Sequence, residues 1–125
     1  MLTKNLPSCP ASPNCVSSQA KEPEHFIEPF TYTDSGRAAF IRLKETIEKF
    51  PGARIVEFGD CHLRAEFRTR WLKFTDDFEA ILNEQQQLIH VRSASRIGYW
   101  DLGTNRKRVE KIRRSIQNRS NQDPR

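Results

Sequence analysis

A stretch near the middle of the chain alternates between mostly apolar and mostly charged side chains, and this pattern limits the possible folds more than any other. The predicted inward set is Leu63, Ala65, Phe67, Thr69 and Trp71, and the predicted outward set is His62, Arg64, Glu66, Arg68 and Arg70. Successive side chains of a β-strand point to opposite faces, so a period of two predicts a strand with one buried face. Such a strand is typical of an antiparallel sheet that is covered on one side.

A helical pattern precedes this strand. The apolar residues at helical spacing are Phe40, Leu43, Ile47 and Phe50. Intervals of three or four residues place side chains on one face of a helix, so these residues predict a buried stripe. We expect Thr33 or Asp34 to cap the helix and Pro51-Gly52 to end it near Phe50.

Three further strands and a second helix complete the predicted domain. The strands are expected at 54–58, 78–82 and 88–95, with turns at Gly59-Asp60 and at 83–86. The second helix is expected from about Thr104 to Arg119, with Val109, Ile112 and Ile116 facing inward. The order helix, four strands, helix predicts an α+β fold: one four-stranded, mainly antiparallel sheet with both helices on one face.

The length of 125 residues fits a single domain with a flanking segment at each end. We expect residues 1–24, which contain four prolines, to form an extended arm without regular structure. The α+β domain then spans 25–118, and 119–125 form a flexible polar tail. The chain as written has no membrane-length apolar run and no export signal, so we expect it in the cytoplasm.

Positive charge is concentrated in the last third of the chain. From Arg92 onward there are ten Lys and Arg against three Asp and Glu, a balance of +7, whereas residues 1–91 have a balance of −2. One interpretation is a solvated basic helix, and the other is a surface for an anionic partner. Nucleic-acid binding is an alternative that would use basic residues of strand and helix together with aromatic residues that stack on bases. Its candidates are Arg64, Arg68, Arg70, Arg106, Lys107, Lys111, Arg113, Arg114, Trp71, Tyr99 and Trp100.

The run between Arg92 and Asn105 is the main candidate site because polar residues are dense where a strand passes into a helix. The candidate ligand-binding residues are Arg92, Ser93, Ser95, Arg96, Asp101, Asn105 and Arg106. Two guanidinium groups near a helix N-terminus would suit phosphate, sulfate or carboxylate. Alternatively, Asp101 pairs with Arg92 or Arg96, Asn105 caps its own helix, and the cluster only fixes the helix to the sheet. The predicted function is therefore a binding domain for an anionic ligand or an acidic partner, without a cofactor.

Metal binding and catalysis have weaker support from the sequence. Cys9, Cys15, Cys61 and His62 are candidate zinc ligands, but Cys61 and His62 are neighbours in a strand and match no standard zinc spacing. In an oxidising compartment Cys9 and Cys15 could form a disulfide instead. An enzyme would use Cys15 as a nucleophile, with a histidine partner that the sequence does not identify. The adjacent Asp76 and Asp77 should face opposite ways, which favours a strand-start cap or ion pairs over joint acid–base chemistry.

Three segments resemble one protein family. They are Cys9-Pro10 with 12–18 near the start, Asp76-Asp77 in the middle, and the run from Arg92 to Arg106, which contains Arg-Ser-Ala-Ser-Arg, Asp-Leu-Gly and Asn-Arg. Together they are similar to the motifs of the uncharacterised family named domain of unknown function 1499, over roughly residues 9–115. The resemblance implies no established activity, substrate or cofactor. Many of its relatives are exported, lipid-anchored or organellar, so it also allows such a location if the chain is trimmed.

Overall fold

The structure is a computed structural model that describes residues 5–69 and 74–122, with the side chains of the last helix described as far as Asn118. Two helices and six strands occur within these ranges. They are β1 (Cys15–Ser17), β2 (Phe30–Thr31), α1 (Gly36–Glu48), β3 (Ala53–Phe58), β4 (His62–Arg68), β5 (Thr75–Asn83), β6 (Leu88–Ser95) and α2 (Thr104–Gln122).

The strands form one antiparallel sheet in the order β1-β6-β5-β4-β3, and β2 pairs with the start of β6. The α+β prediction is confirmed, but the sheet has six strands rather than four. The additional strands, β1 and β2, are three and two residues long and are too short to show a period of their own. Both pair with β6, so the segment 1–24 that was predicted to lack regular structure contains β1.

The first helix begins slightly later than predicted because its cap is Ser35. The Ser35 hydroxyl accepts a hydrogen bond from Ala38 N at 3.0 Å. Asp34 instead binds the Arg42 guanidinium through both carboxylate oxygens, at 2.9 and 3.2 Å. Hydrogen bonding to Arg42 lowers the pKa of Asp34.

Gly52 ends the turn after α1 at a place where no side chain fits. Its φ is +79°, and a Cβ there would lie 2.4 Å from Arg68 O. The close approach allows Gly52 O to accept from Arg68 N at 2.9 Å, which ties the turn to the end of β4.

The hydrophobic core lies between the helices and one face of the sheet, here called the inner face. The sheet contributes Leu63, Ala65, Phe67, Phe78, Ala80, Val91 and others, as the alternation predicts. The helices contribute Phe40, Leu43, Ile47, Val109 and Ile112, each 0 % exposed. The predicted inward Trp71 and outward Arg70 lie outside the described residues.

The opposite face, here called the outer face, is polar, and the N-terminal segment covers part of it. Cys15 and Ser17 are paired in register with Ala94 and Arg92, so these four residues share the outer face. A disulfide joins Cys15 to Cys9, which holds residues 5–14 against this side of the sheet. As a result Cys15 is 1 % exposed although it is not part of the inner core.

Neither described helix has the length and apolar composition that crossing a membrane requires.

Candidate functional site

A buried polar cluster lies where α2 begins beneath β6, and its centre is the amide of Asn105, which is 0 % exposed. Asn105 Oδ1 accepts from Ser93 Oγ at 2.7 Å and from an Arg108 guanidinium nitrogen at 2.8 Å. Asn105 Nδ2 donates to Ser95 Oγ at 2.9 Å and to Asp101 Oδ2 at 2.7 Å. We call these five residues the Asn105 cluster. Its members satisfy one another, as a polar group removed from water requires.

Arg108 extends the cluster to the sheet. Its guanidinium forms a 2.8 Å ion pair with Asp76, whose side chain is only 3 % exposed. The same guanidinium lies over the Phe67 ring, 4.7 Å from the centroid. Asp77, the next residue, points to the outer face and pairs with Arg96 there. The two aspartates thus face opposite ways and form separate ion pairs, as the strand geometry predicts.

Hydrogen bonds from the Asn105 cluster also shape the connection between β6 and α2. Asp101 accepts from Gly103 N at 2.8 Å and from Asn105 N at 3.0 Å, so it caps the helix. Asn14 Nδ2 donates to Gly98 O at 2.7 Å and ties the connection to the residue before β1. Gly98, Leu102 and Gly103 have φ values of 87°, 57° and 77°. A connection with this many left-handed residues is held in place by its polar contacts.

The outward side of this connection is apolar. Ile97, Tyr99, Trp100 and Leu102 are 59 %, 71 %, 69 % and 65 % exposed. We call residues 97–102 the aromatic loop. Arg96 N donates to Thr75 O at 3.2 Å, so the neighbouring Phe74, 41 % exposed, emerges at the same end of the sheet. Large exposed apolar side chains that are grouped in this way are typical of contact surfaces.

On the outer face, Arg96 joins three strands. It donates to both carboxylate oxygens of Asp77, at 2.8 and 2.9 Å, and to Glu66 Oε2 at 2.6 Å. Glu66 also accepts from Arg54 at 2.9 Å. Hydrogen bonds from Arg96 and then Arg54 lower the pKa of Glu66, and the two carboxylates raise the pKa of Arg96.

Arg92 has fewer partners than Arg96. It donates to Ser8 O at 3.2 Å, and its buried Nε has no hydrogen-bond partner among the described residues. Burial lowers the pKa of Arg92, and the charges of Glu79 and Asp77 oppose that shift.

The family comparison covers nearly all of this architecture. A family model described as protein of unknown function DUF1499 matches residues 5–116. The chain belongs to the DUF1499 family. The match includes all three segments on which the resemblance was based, and thus the Asn105 cluster and the aromatic loop. A search of curated proteins and a search of solved structures each found no match.

In this DUF1499 domain the predicted site residues are divided between the two faces of the sheet. Ser93, Ser95, Asp101 and Asn105 meet on the helix side, whereas Arg92 and Arg96 lie on the outer face. Asp101 was expected to pair with Arg92 or Arg96. Its carboxylate instead caps α2 and accepts a hydrogen bond from the side-chain amide of Asn105. Alternation along β6 separates the serines from the arginines, and Asp77 of β5 and Glu66 of β4 are the carboxylates that reach Arg96.

Several basic residues of α2 are bonded within the domain. Arg106 donates to Glu24 O at 3.2 Å. Arg113 donates to Pro29 O and Glu28 O at 3.0 and 2.8 Å and lies over the Phe30 ring. Lys107, Lys111 and Arg114 complete the predicted basic set of this helix. The other nucleic-acid candidates Arg70 and Trp71 lie outside the described residues.

The cysteine and histidine candidates are also accounted for. The Cys15 sulfur is bonded to Cys9, so it is free neither as a nucleophile nor as a metal ligand. Cys61 is an exposed free thiol. His62 bonds Glu79 at 2.7 Å, and His25 Nδ1 lies 2.9 Å from Cys15 O. Within residues 5–69 and 74–122 no three His, Cys, Asp or Glu side chains are grouped as a metal site would require.

Sequence reasoning missed two features. Arg108 entered the prediction only as one of the ten basic residues from Arg92 onward, although its position one helical turn after Asn105 places both on the same helix face. The second feature is a contact between Ser18 and His90, 72 positions apart in the chain. Only the pairing of β1 with β6 brings these two residues together, and a strand of three residues gave no usable signal.

Proposed function

We propose that this domain is a peripheral binding module that recognises an anionic membrane surface through the aromatic loop. The observation that carries the proposal is the exposure of Tyr99 and Trp100, at 71 % and 69 %, on a loop that hydrogen bonds hold in place. Tyrosine and tryptophan have an apolar ring and a polar group, and they are enriched where membranes meet water.

Hydrogen bonds to the rest of the domain hold the aromatic loop in place, so the loop can contact a membrane without a large change in its own conformation. Asp101 caps α2, Asn14 binds Gly98 O, and both connect to the Asn105 cluster. A preorganised loop loses less conformational entropy on binding than a mobile one. In this proposal the polar run between Arg92 and Asn105 presents the aromatic loop, and the loop makes the contact.

The surrounding charge favours an anionic partner. Arg106 and the exposed Lys107 follow the loop in the first turns of α2, and Asp101 is turned inward to cap the helix. The part of the chain from Arg92 onward has a balance of +7. Basic residues close to an anionic bilayer contribute about 1 kcal/mol each, in addition to the burial of apolar surface.

Vesicle co-sedimentation tests the proposal, with phosphatidylcholine vesicles that contain or lack phosphatidylglycerol. We expect binding to the anionic vesicles that weakens as salt is raised. The double variant Tyr99→Ser/Trp100→Ser should lower binding by about tenfold or more, because two exposed apolar side chains no longer become buried. The matched control is Ile41→Ser, which removes a 36 % exposed apolar residue from α1.

Fluorescence gives a second measurement. In a Trp71→Phe background Trp100 is the single tryptophan, since the chain contains two. Its emission should shift to shorter wavelength when anionic vesicles are added. An unchanged emission, or equal loss of binding in the Ile41→Ser control, would contradict the proposal. Retention of an oligonucleotide at low salt without vesicle binding would instead favour the nucleic-acid alternative.

A further inference from the structure

A cavity on the outer face contains a serine and a histidine in direct contact. The cavity has a volume of about 530 Å³ and is lined by residues 5–9, residues 17–22 and His90. This volume lies in the range of about 300–1,000 Å³ that is usual for small-molecule sites. The disulfide between Cys9 and Cys15 holds one wall of the cavity against the sheet.

Hydrogen bonding determines how the two side chains are oriented. Ser18 Oγ accepts from Val91 N at 2.8 Å and lies 3.0 Å from His90 Nδ1, whereas its distance to Val91 O is 3.4 Å. His90 Nε2 lies 3.3 Å from Gln86 Oε1. An amide oxygen can only accept, so Nε2 carries the proton and the lone pair of Nδ1 faces the serine hydroxyl.

The environment of His90 suits a proton acceptor. Burial lowers the pKa of His90, which keeps the imidazole neutral near pH 7. The ionisable side chains that line the same cavity are Lys21 and Glu22, and the residue opposite His90 on β5 is Ile81. A hydroxyl bound to a neutral imidazole, which a third group orients, is the arrangement of an activated serine nucleophile.

We propose that Ser18 is a nucleophile and His90 its general base, and that they act on small carboxylic esters bound in this cavity. The Ser18 proton passes to His90 Nδ1 while Oγ forms a bond to the ester carbonyl carbon. The bond from that carbon to the alkoxy oxygen then breaks, and the alcohol leaves with the proton from His90. Water, deprotonated in turn by His90, attacks the acyl-serine, which releases the carboxylic acid and restores Ser18. This activity is independent of the proposed membrane contact.

Covalent labelling tests the proposal on the full chain. A fluorophosphonate probe, followed by intact-mass and peptide mass spectrometry, should give one adduct at Ser18, and p-nitrophenyl acetate should be hydrolysed. His90→Gln should lower both rates about 100-fold or more, which is the usual contribution of a general base. The matched controls are Ser8→Ala, which replaces another serine that lines the cavity, and His62→Gln, which lies outside the lining; both should react like the parent chain.

Ser18→Ala should abolish the adduct, but it also removes the acceptor of Val91 N, so its thermal unfolding is measured in parallel. If that variant does not fold, His90→Gln decides, because the Ser18 contact with Val91 N does not depend on the imidazole. An absent Ser18 adduct in the parent chain would overturn the proposal. So would an adduct that forms equally fast in His90→Gln, since Ser18 would then have only a structural role.

Discussion

At the scale of single residues, the side-chain amide of Asn105 links α2 to the sheet by hydrogen bonds. Asn105 uses both ends of its side chain, and its partners lie on β6, in the aromatic loop and on the next turn of α2. Asn14 O also accepts from Nδ2, at 3.3 Å. An asparagine, with one acceptor and one donor end, can satisfy hydroxyl, guanidinium and carboxylate partners together, which an aspartate could not.

Asn105→Ala is therefore expected to destabilise the domain by about 2–4 kcal/mol, because it leaves several buried partners without a hydrogen bond. Urea unfolding followed by circular dichroism measures this free energy. Lys107→Ala is the matched control, since Lys107 is exposed and lies on the same turn of α2; its effect should stay within about 0.5 kcal/mol. Equal stabilities of the two variants would show that the cluster does not support the fold.

At the scale of elements, Arg96 connects β4, β5 and β6 on the outer face. Its partners Asp77 and Glu66 come from the two neighbouring strands, and Arg54 of β3 binds Glu66 as well. The charged residues of this face thus form a chain of ion pairs across four strands. Because the side chains of Arg54, Arg96 and Asp77 are exposed, solvent and salt screen the attraction between these groups.

This chain of ion pairs predicts an acid-dependent loss of stability. The pKa of Glu66 in the folded protein lies below its usual 4.5 because Arg96 and Arg54 bind the charged form. A carboxylate of this kind stabilises the fold above pH 4.5, and the contribution is lost as the pH falls through the folded pKa. Glu66→Gln should therefore make the free energy of unfolding less dependent on pH between about 3 and 5. Urea unfolding across that range measures the difference, with Glu28→Gln at an exposed position as the control; identical profiles of the parent chain and Glu66→Gln would contradict it.

Elements with enough residues to show a period were predictable from the sequence, and shorter ones were not. The alternation in β4 and the stripe in α1 each extend over several turns or residue pairs, so hydrophobic burial determines their faces. The strands β1 and β2 form because β6 offers free backbone groups, a partnership that linear order does not show. The same limit applies to the candidate site. The sequence showed the dense polar run between Arg92 and Asn105. It did not show that this run divides into an inner amide cluster and outer ion pairs, because that division depends on side chains from neighbouring strands.

At the scale of the whole molecule, the two faces of the sheet are covered in different ways. The helices bury the inner face in a hydrophobic core, whereas residues 5–14, which cover part of the outer face, contain one buried hydrophobic residue, Leu6. The Cys9–Cys15 disulfide holds this segment in place, and two hydrogen bonds add to it. Ser8 O accepts from the Arg92 guanidinium, and Leu6 N donates to Gln19 Oε1 at 2.8 Å. The segment buries little apolar surface, so the disulfide contributes to its attachment to the sheet.

Removing the disulfide should consequently weaken the segment and the whole domain together. Closing a loop with a sequence separation of 6 restricts the unfolded chain by about 2 kcal/mol in the chain-entropy description. We expect Cys9→Ser/Cys15→Ser to lower the free energy of unfolding by about that amount and to speed amide hydrogen exchange in β1 more than in β4, because β1 is the element next to the bond. Cys61→Ser removes the exposed thiol and is the control, with a change within about 0.5 kcal/mol. Stability and exchange that are the same with and without the bond would mean that the hydrogen bonds to Arg92 and Gln19 are sufficient to hold the segment.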